Sequence, residues 1–269
     1  MRGTKADGLS SLGNSTHAVE CEAGATNNAI GGAAGAGNRI AFSPSGFAGV
    51  RVRDGSLKNS ILGNAVFSNG ALGIDLGAAG VTANDSCDGD SGANMLQNFP
   101  VLTQAVSGKG TGIRGSLNST AGGSFLLQFF ANSACDGSGN GEGQIYLGDK
   151  TVVTSNDCNV SFVATFNTSV PTGYVITSTA TDAANNTSEF SACVTLAPVP
   201  ALAITPRTNH QVNVSWTNSA TGFVLKQTSS LSPPIQWTTV PNSPVLTNNQ
   251  FVVTLPISST NRFFLLSFE

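Results

Sequence analysis

The sequence predicts an all-β chain in three parts: a solenoid of short stacked strands, a sandwich of longer strands, and a small terminal β-module. Two patterns and one composition predict it. Short apolar triplets recur every 20 to 30 residues in the first hundred positions, whereas later runs alternate apolar and polar residues over six or more positions. Only 10% of the 269 residues are charged while 40% are hydrophobic and 31 are Gly, a composition that suits many turns and uncharged polar surfaces and is unlike that of disordered chains.

The first part rests on internal similarity. HAVECEAGATNNAIGGAAGAGNRIAF (17 to 42) aligns with AGVRVRDGSLKNSILGNAVF (48 to 67), matching Val19 to Val50, Ile30 to Ile61 and Ile40 to Val66. LGIDLG (72 to 77) starts a third copy. Asn38, Asn59 and Asn64 immediately precede triplets, where the corners of a stacked coil should fall, because Asn tolerates the left-handed backbone that sharp corners need. The alternative is a meander of ordinary hairpins.

GTKADGLSSLGNSTHAVE, GATNNAIGGAAGAGNRIAF, NSILGNAVFSNGALGIDLG and NDSCDGDSGANMLQNFPVL resemble repeats of right-handed parallel β-helix proteins of secreted or surface type from environmental bacteria. The resemblance covers about residues 2 to 105. It implies an extracellular or cell-surface setting and usually many more coils, so residues 1–105 are expected to be a truncated right-handed parallel β-helix ending in an acidic loop. An open solenoid end is an unpaired sheet edge, which raises the expectation of a homo-oligomer formed through it.

Residues 106–197 change period. Phe125, Leu127 and Phe129 share one face of SFLLQFF; Val160, Phe162, Ala164 and Phe166 share one face of NVSFVATF; Val175, Thr177 and Thr179 lie opposite Tyr174, Ile176 and Ser178. Half-buried antiparallel strands follow from that spacing. GSFLLQFFANSACDGSGNGEGQIYLGD with ATDAANNTSEFSACV resembles the immunoglobulin-like modules that follow such β-helices, which implies an Ig-like β-sandwich and transfers no catalytic motif. LAPVPALAITP reads as a stiff linker or an edge-strand entry. Residues 198–269 then hold five strand-like runs and resemble small C-terminal β-modules of secreted proteins, with Trp216, Trp237, Phe223, Phe251 and Phe263 spaced as core residues.

The net charge of -3 and the lack of a Lys/Arg cluster interleaved with aromatics argue against nucleic acid as a partner. No apolar run approaches the roughly 18 to 20 residues that span a bilayer. The first twenty residues lack the apolar core of a secretory signal, so either a signal has been removed or the chain starts inside a larger protein. Five cysteines without a CxxC pair disfavour a zinc site, and Cys135 with Cys193, both in the sandwich, is the expected disulfide, buried reduced thiols being the alternative.

Chemistry has little raw material. GDSG (89 to 92) looks in isolation like the nucleophile loop of trypsin-like serine proteases, but His17 precedes Ser91 by only 74 residues, and His17 and His210 fall in different parts. NDSCDGDSGAN (84 to 94) is the richer stretch. Asp85, Asp88 and Asp90, with Asn84 and Asn94 as neutral oxygens, fit a calcium loop, because calcium takes six to eight oxygen ligands and Gly89 and Gly92 let the backbone curl; an exposed polar turn is the competing reading. The expected role is therefore the non-catalytic part of a secreted or cell-surface protein, engaged in adhesion or contact with a glycan or surface polymer and stabilised by calcium. The alternative is a calcium-dependent hydrolase or lyase acting on a polysaccharide, ester or lactone, with Arg51 and Arg53 as the paired bases opposite the acids.

Overall fold

A computed structural model describes residues 3–32, 36–219 and 222–269. The protein is all-β: among these residues the helical segments are two short 3-10 turns, Ser86–Asp88 and Ala93–Leu96. The chain forms two compact units, Met1–Leu196 and Ala197–Glu269, so the first two parts read from the sequence share one unit.

That unit opens with seven strands of three residues: β1 (Val19–Cys21), β2 (Ala29–Gly31), β3 (Arg39–Ala41), β4 (Val50–Val52), β5 (Ser60–Leu62), β6 (Ala65–Phe67) and β7 (Ile74–Leu76). They pair in parallel, β1 with β4, β4 with β7, β2 with β5 and β3 with β6. Val19 lies beside Val50, Ile30 beside Ile61 and Ile40 beside Val66, the pairs matched by the internal alignment. Parallel neighbours arise because each strand meets the one a full circuit later in the chain rather than its hairpin partner. Ile40, Val50, Val52, Ile61, Val66, Ile74 and Leu76 point into one shared core.

Asparagines hold the corners in register. The Asn59 side chain accepts from the amide nitrogen (3.2 Å) and side chain (2.8 Å) of Asn28 and donates to the Ala25 carbonyl (2.9 Å). Asn94 repeats the arrangement one level on, accepting from the Asn59 amide (3.0 Å) and donating to the Asn59 carbonyl (2.8 Å). Asn64 does the same for Asn38 and Ile30 at a second corner. Each amide satisfies backbone groups that the turn withdraws from the ladder, where an unpaired buried group costs about 1–3 kcal/mol.

Seven longer strands follow: β8 (Val101–Ser107), β9 (Thr111–Asn118), β10 (Ser124–Asn132), β11 (Ile145–Val153), β12 (Asn159–Phe166), β13 (Val175–Asp182) and β14 (Val194–Pro198), in the order β11-β10-β13-β14-β8-β9-β12. The sheet folds back around one core to which both halves contribute, Phe125, Leu127 and Phe129 from β10 meeting Ile113, Leu117 and Phe162 from β9 and β12. Phe129 packs on Phe162 and Phe166 with ring centroids 5.7 and 5.4 Å apart.

The expectation of half-buried strands fails for β10 and β13. From Val175 to Thr181 every residue of β13 is buried, as are Gln128 and Phe130 on the second face of β10. The reason is tertiary: the last circuit of parallel strands lies against that face. Phe130 and Phe190 enter its core, 5.3 Å apart. Gly73 and Gly143 make room, since a Cβ there would lie 2.8 and 2.6 Å from atoms of the Phe190 ring.

The second unit contains β15 (Ala203–Arg207), β16 (Gln211–Thr217), β17 (Phe223–Thr228), β18 (Thr238–Thr239), β19 (Val245–Thr247), β20 (Gln250–Pro256) and β21 (Phe263–Phe268), arranged as β15-β16-β20-β19 and β18-β17-β21. Pro206 sits on the edge strand β15, where its missing N–H interrupts no central ladder. Trp216, Phe223 and Phe251 join the core as spaced, but Phe264 and Leu266 take the place expected for Phe263, because alternation along β21 turns Phe263 to the other face. Trp237 is half-buried outside that core.

Candidate functional site

The acidic stretch lies between β7 and β8, on the loop that carries the chain from the parallel coils into the sandwich. Its backbone is tightly folded: Cys87 and Asp88 both have positive φ, 61° and 58°, which turns the side chains of Asp85, Asp88 and Asp90 toward one point. Ligand oxygens of all three lie within 4.8 Å of one another. Asp88 is held by the Asn98 amide (2.9 Å) and the Ser119 hydroxyl (2.7 Å), and Asp85 accepts from the Gly89 amide (3.0 Å). One carboxylate oxygen of Asp85 and one of Asp90 are enclosed without a hydrogen-bond partner.

Electrostatics follow from that crowding. Burial pushes the Asp88 carboxyl above its ordinary range, more than Ser119 and Asn98 pull it down, and the charges of Asp85 and Asp90 push it further. Asp90 shifts the same way, through desolvation and then the Asp85 charge. Three acids at this separation, two of them with an enclosed, unpartnered oxygen, suit a hard divalent cation, which removes the repulsion and supplies the missing partner.

Asn84 and Asn94 are engaged elsewhere. Asn84 exchanges hydrogen bonds with the backbone of Phe99, donating at 2.8 Å and accepting at 3.0 Å. Asn94 is fully buried in the corner ladder, its oxygen taken by Asn59 and its nitrogen shared between Asn59 and Thr187. Cys87 points away, into a disulfide with Cys158 that staples the loop to the sandwich. The expected Cys135–Cys193 disulfide is present, and Cys21 is a buried free thiol.

The other sequence candidates resolve into structure. Arg51 forms a buried ion pair with Asp75, its register neighbour on the next rung, and Arg53 pairs with Glu20 at 2.5 Å. Neither base faces the acidic loop as a free partner. His17 accepts the Ala48 amide (2.9 Å), and Ser91 is exposed.

A second set of polar groups was not legible in the sequence. The outer edge of the last parallel circuit would present unpaired N–H groups, and the sandwich caps them with side chains. Asn186 accepts from Lys58 (2.7 Å), Thr187 from Ile61 (3.0 Å), Gln128 from Gly63 (2.9 Å) and Glu189 from Leu76 (2.9 Å), while Val66 and Gly143 exchange two backbone bonds. Glu142 accepts from the Asn69 side chain (2.6 Å) and amide (3.3 Å). Burial raises the pKa of both Glu142 and Glu189 to about 7, against the pull of these donors; the Asp136 charge adds to the first shift and Asp75 to the second. The signal that existed was scarcity: each is a lone acid in a chain with 15.

No family model matches the chain, and no curated protein does. Among solved structures it is similar to a red sea bream transglutaminase at 16% identity and a TM-score of 0.25, covering 64% of this chain and 28% of that one. It is also similar to the FN1–FN3 domains of chicken CNTN1 at 12% identity and a TM-score of 0.21, covering 63% and 59%. This chain thus spans under two thirds of either. Neither superposition is close enough to carry an argument about fold or activity.

Proposed function

We propose that this chain is a non-catalytic part of a secreted or cell-surface protein: the end of a right-handed parallel β-helix, closed by an immunoglobulin-like sandwich and followed by a small β-sandwich module. Its task is to hold a stiff polar surface against a glycan or surface polymer. The observation that carries this reading is the capped edge, where Asn186, Thr187, Gln128, Glu142 and Glu189 engage the last circuit and so terminate its stacking. Two disulfides support an oxidising compartment. Among the described residues no helix is long and apolar enough to cross a membrane. Self-association in this reading runs through the opposite edge, where β2 is half-exposed.

In this reading calcium, held by Asp85, Asp88 and Asp90, braces the loop between coil and sandwich. Thermal melts with calcium and with a chelator, together with polysaccharide pull-down and turnover on glycans, esters and lactones, test the whole proposal. The expected result is a calcium-dependent rise in Tm that Asp88→Asn and Asp90→Asn each abolish, with polymer retained and not cleaved. An ion contributing at a hundredfold excess over its Kd stabilises by about 2.7 kcal/mol. Identical melts in both conditions remove the ion, and turnover lost in the same variants overturns the non-catalytic reading in favour of a metal-dependent hydrolase or lyase.

A further inference from the structure

A polar cavity of about 220 Å³ opens between the last parallel circuit and the sandwich, lined on one side by Phe67, Ser68 and Asn69 and on the other by Asn132 to Gly137, Glu142 and Gln144. Drug-sized sites run to roughly 300–1,000 Å³, so this one has room for a single ring. Its ionisable groups are the carboxyls of Asp136 and Glu142; no Lys, Arg or His is in its wall. Glu142 and Phe67 are each 7% exposed, so a carboxyl group and a phenylalanine side chain lie in a partly dry part of the lining. The hydroxyls and the Gln144 amide add neutral hydrogen-bonding groups.

The cavity is built rather than incidental. Cys135 lies in its wall and is tied by its disulfide to Cys193, whose amide donates to Gly139 (3.0 Å), while Gly141 donates to Ser191 (3.1 Å). Asn132 braces the same wall by donating to the Glu142 carbonyl (3.0 Å) and accepting from the Gln144 amide (2.7 Å). A rim held this way loses little freedom when a ligand enters. The charge is not balanced from within: the Asp136 charge acts on Glu142 without a base in the wall between them. A cationic group placed there gains two acidic partners in a site partly removed from water, whereas an anionic ligand meets repulsion from both.

We propose that this cavity binds an amino sugar, its ammonium group directed to Asp136 and Glu142 and its ring hydroxyls to Ser68 and Gln144 over the Phe67 side chain. The inference rests on the glycan-contact reading above and names the sugar class that this cavity would take.

Titration of the intact chain with glucosamine, glucose, N-acetylglucosamine and glucuronic acid at pH 7, followed by NMR shifts of the Gln144 and Ser68 amides, tests it. Glucosamine is expected to bind, with glucose and N-acetylglucosamine at least about tenfold weaker and glucuronic acid weakest, and Asp136→Asn is expected to weaken glucosamine by about tenfold or more. Glu142→Gln should do the same, but because Glu142 also caps Asn69, the rim variants Asp136→Asn and Gln144→Ala decide if that protein fails to fold. Equal binding of all four sugars, no shift with glucosamine, or unchanged affinity in Asp136→Asn overturns the assignment. Retention on polysaccharides that lack free amines, with no glucosamine binding, would refute this cavity while leaving the glycan-contact function standing; loss of all polymer retention would refute that function instead.

Discussion

Converting Cys87 and Cys158 to serine is expected to lower stability by about 4 kcal/mol, and converting Cys135 and Cys193 by a similar amount. The bonds close segments of 71 and 58 residues, and the constraint that a cross-link places on the unfolded chain grows with the logarithm of that length. The folded state keeps most local contacts without them. Asn98 still ties Asp85 to Asn118, and the 139–141 turn still pairs with residues 191–193. The effect therefore falls mainly on the unfolded ensemble and shows as a shifted denaturation midpoint rather than a changed fold. Against a typical total of roughly 5–15 kcal/mol, loss of both bonds leaves the Met1–Leu196 unit near the edge of stability. Each pair of substitutions should lower Tm by roughly 10 °C. A drop of less than about 1 kcal/mol for either pair would mean that the unfolded chain is already held near those contacts.

The pH profile should run opposite to ordinary acid denaturation. Glu142 and Glu189 have pKa values raised by burial from 4.5 to about 7, so the folded state holds more protons than the unfolded one between those limits. Their contribution is fully present below about pH 4.5 and is lost as pH rises through about 7. With one pKa unit worth about 1.4 kcal/mol, each glutamate accounts for a loss on the order of 3 kcal/mol by pH 8. Asp88 and Asp75, both pushed upward chiefly by desolvation, act in the same direction at the acid end of that window. Denaturation midpoints from pH 5 to 8 should fall for the parent and stay nearly level for the Glu142→Gln, Glu189→Gln double variant. A parent midpoint that rises over this range would show that the seam carboxylates are charged without penalty, held by the amides of Asn69, Leu76 and Thr82.

The legible part of the fold is the part governed by near neighbours in the repeat. Ile30 and Ile61, or Ile40 and Val66, are matched because a coil returns to the same geometry each circuit, and Asn59 and Asn64 mark corners because the corner backbone needs them. Cys135 and Cys193 are paired in the sequence because both belong to one sandwich. Cys87 and Cys158 are not, since their bond joins a loop before the sandwich to a turn within it. In the acidic stretch the spacing of Asp85, Asp88 and Asp90 was enough to bring them together, but the partners of Asn94 are 35 and 93 residues away, and no local window could have withdrawn it from the ligand set. Glu142 and Glu189 lie further still from what they cap, 73 residues from Asn69 and 113 from Leu76. Read locally, GEGQ and TSEFS are polar turns; only the docking of the coils onto β10 and β13 buries them.

In the proposed reading the sandwich terminates the parallel coils by capping their last edge. Native-state hydrogen exchange at the amides of Ile61, Gly63 and Leu76 tests it directly, because each donates across the seam to Thr187, Gln128 or Glu189. These amides should exchange only through the global unfolding that also releases the amides of β10 and β13, with the same dependence on denaturant. Exchange of the three within seconds at neutral pH, while β10 and β13 stay protected, would mean that coil and sandwich open independently and that the edge is not capped.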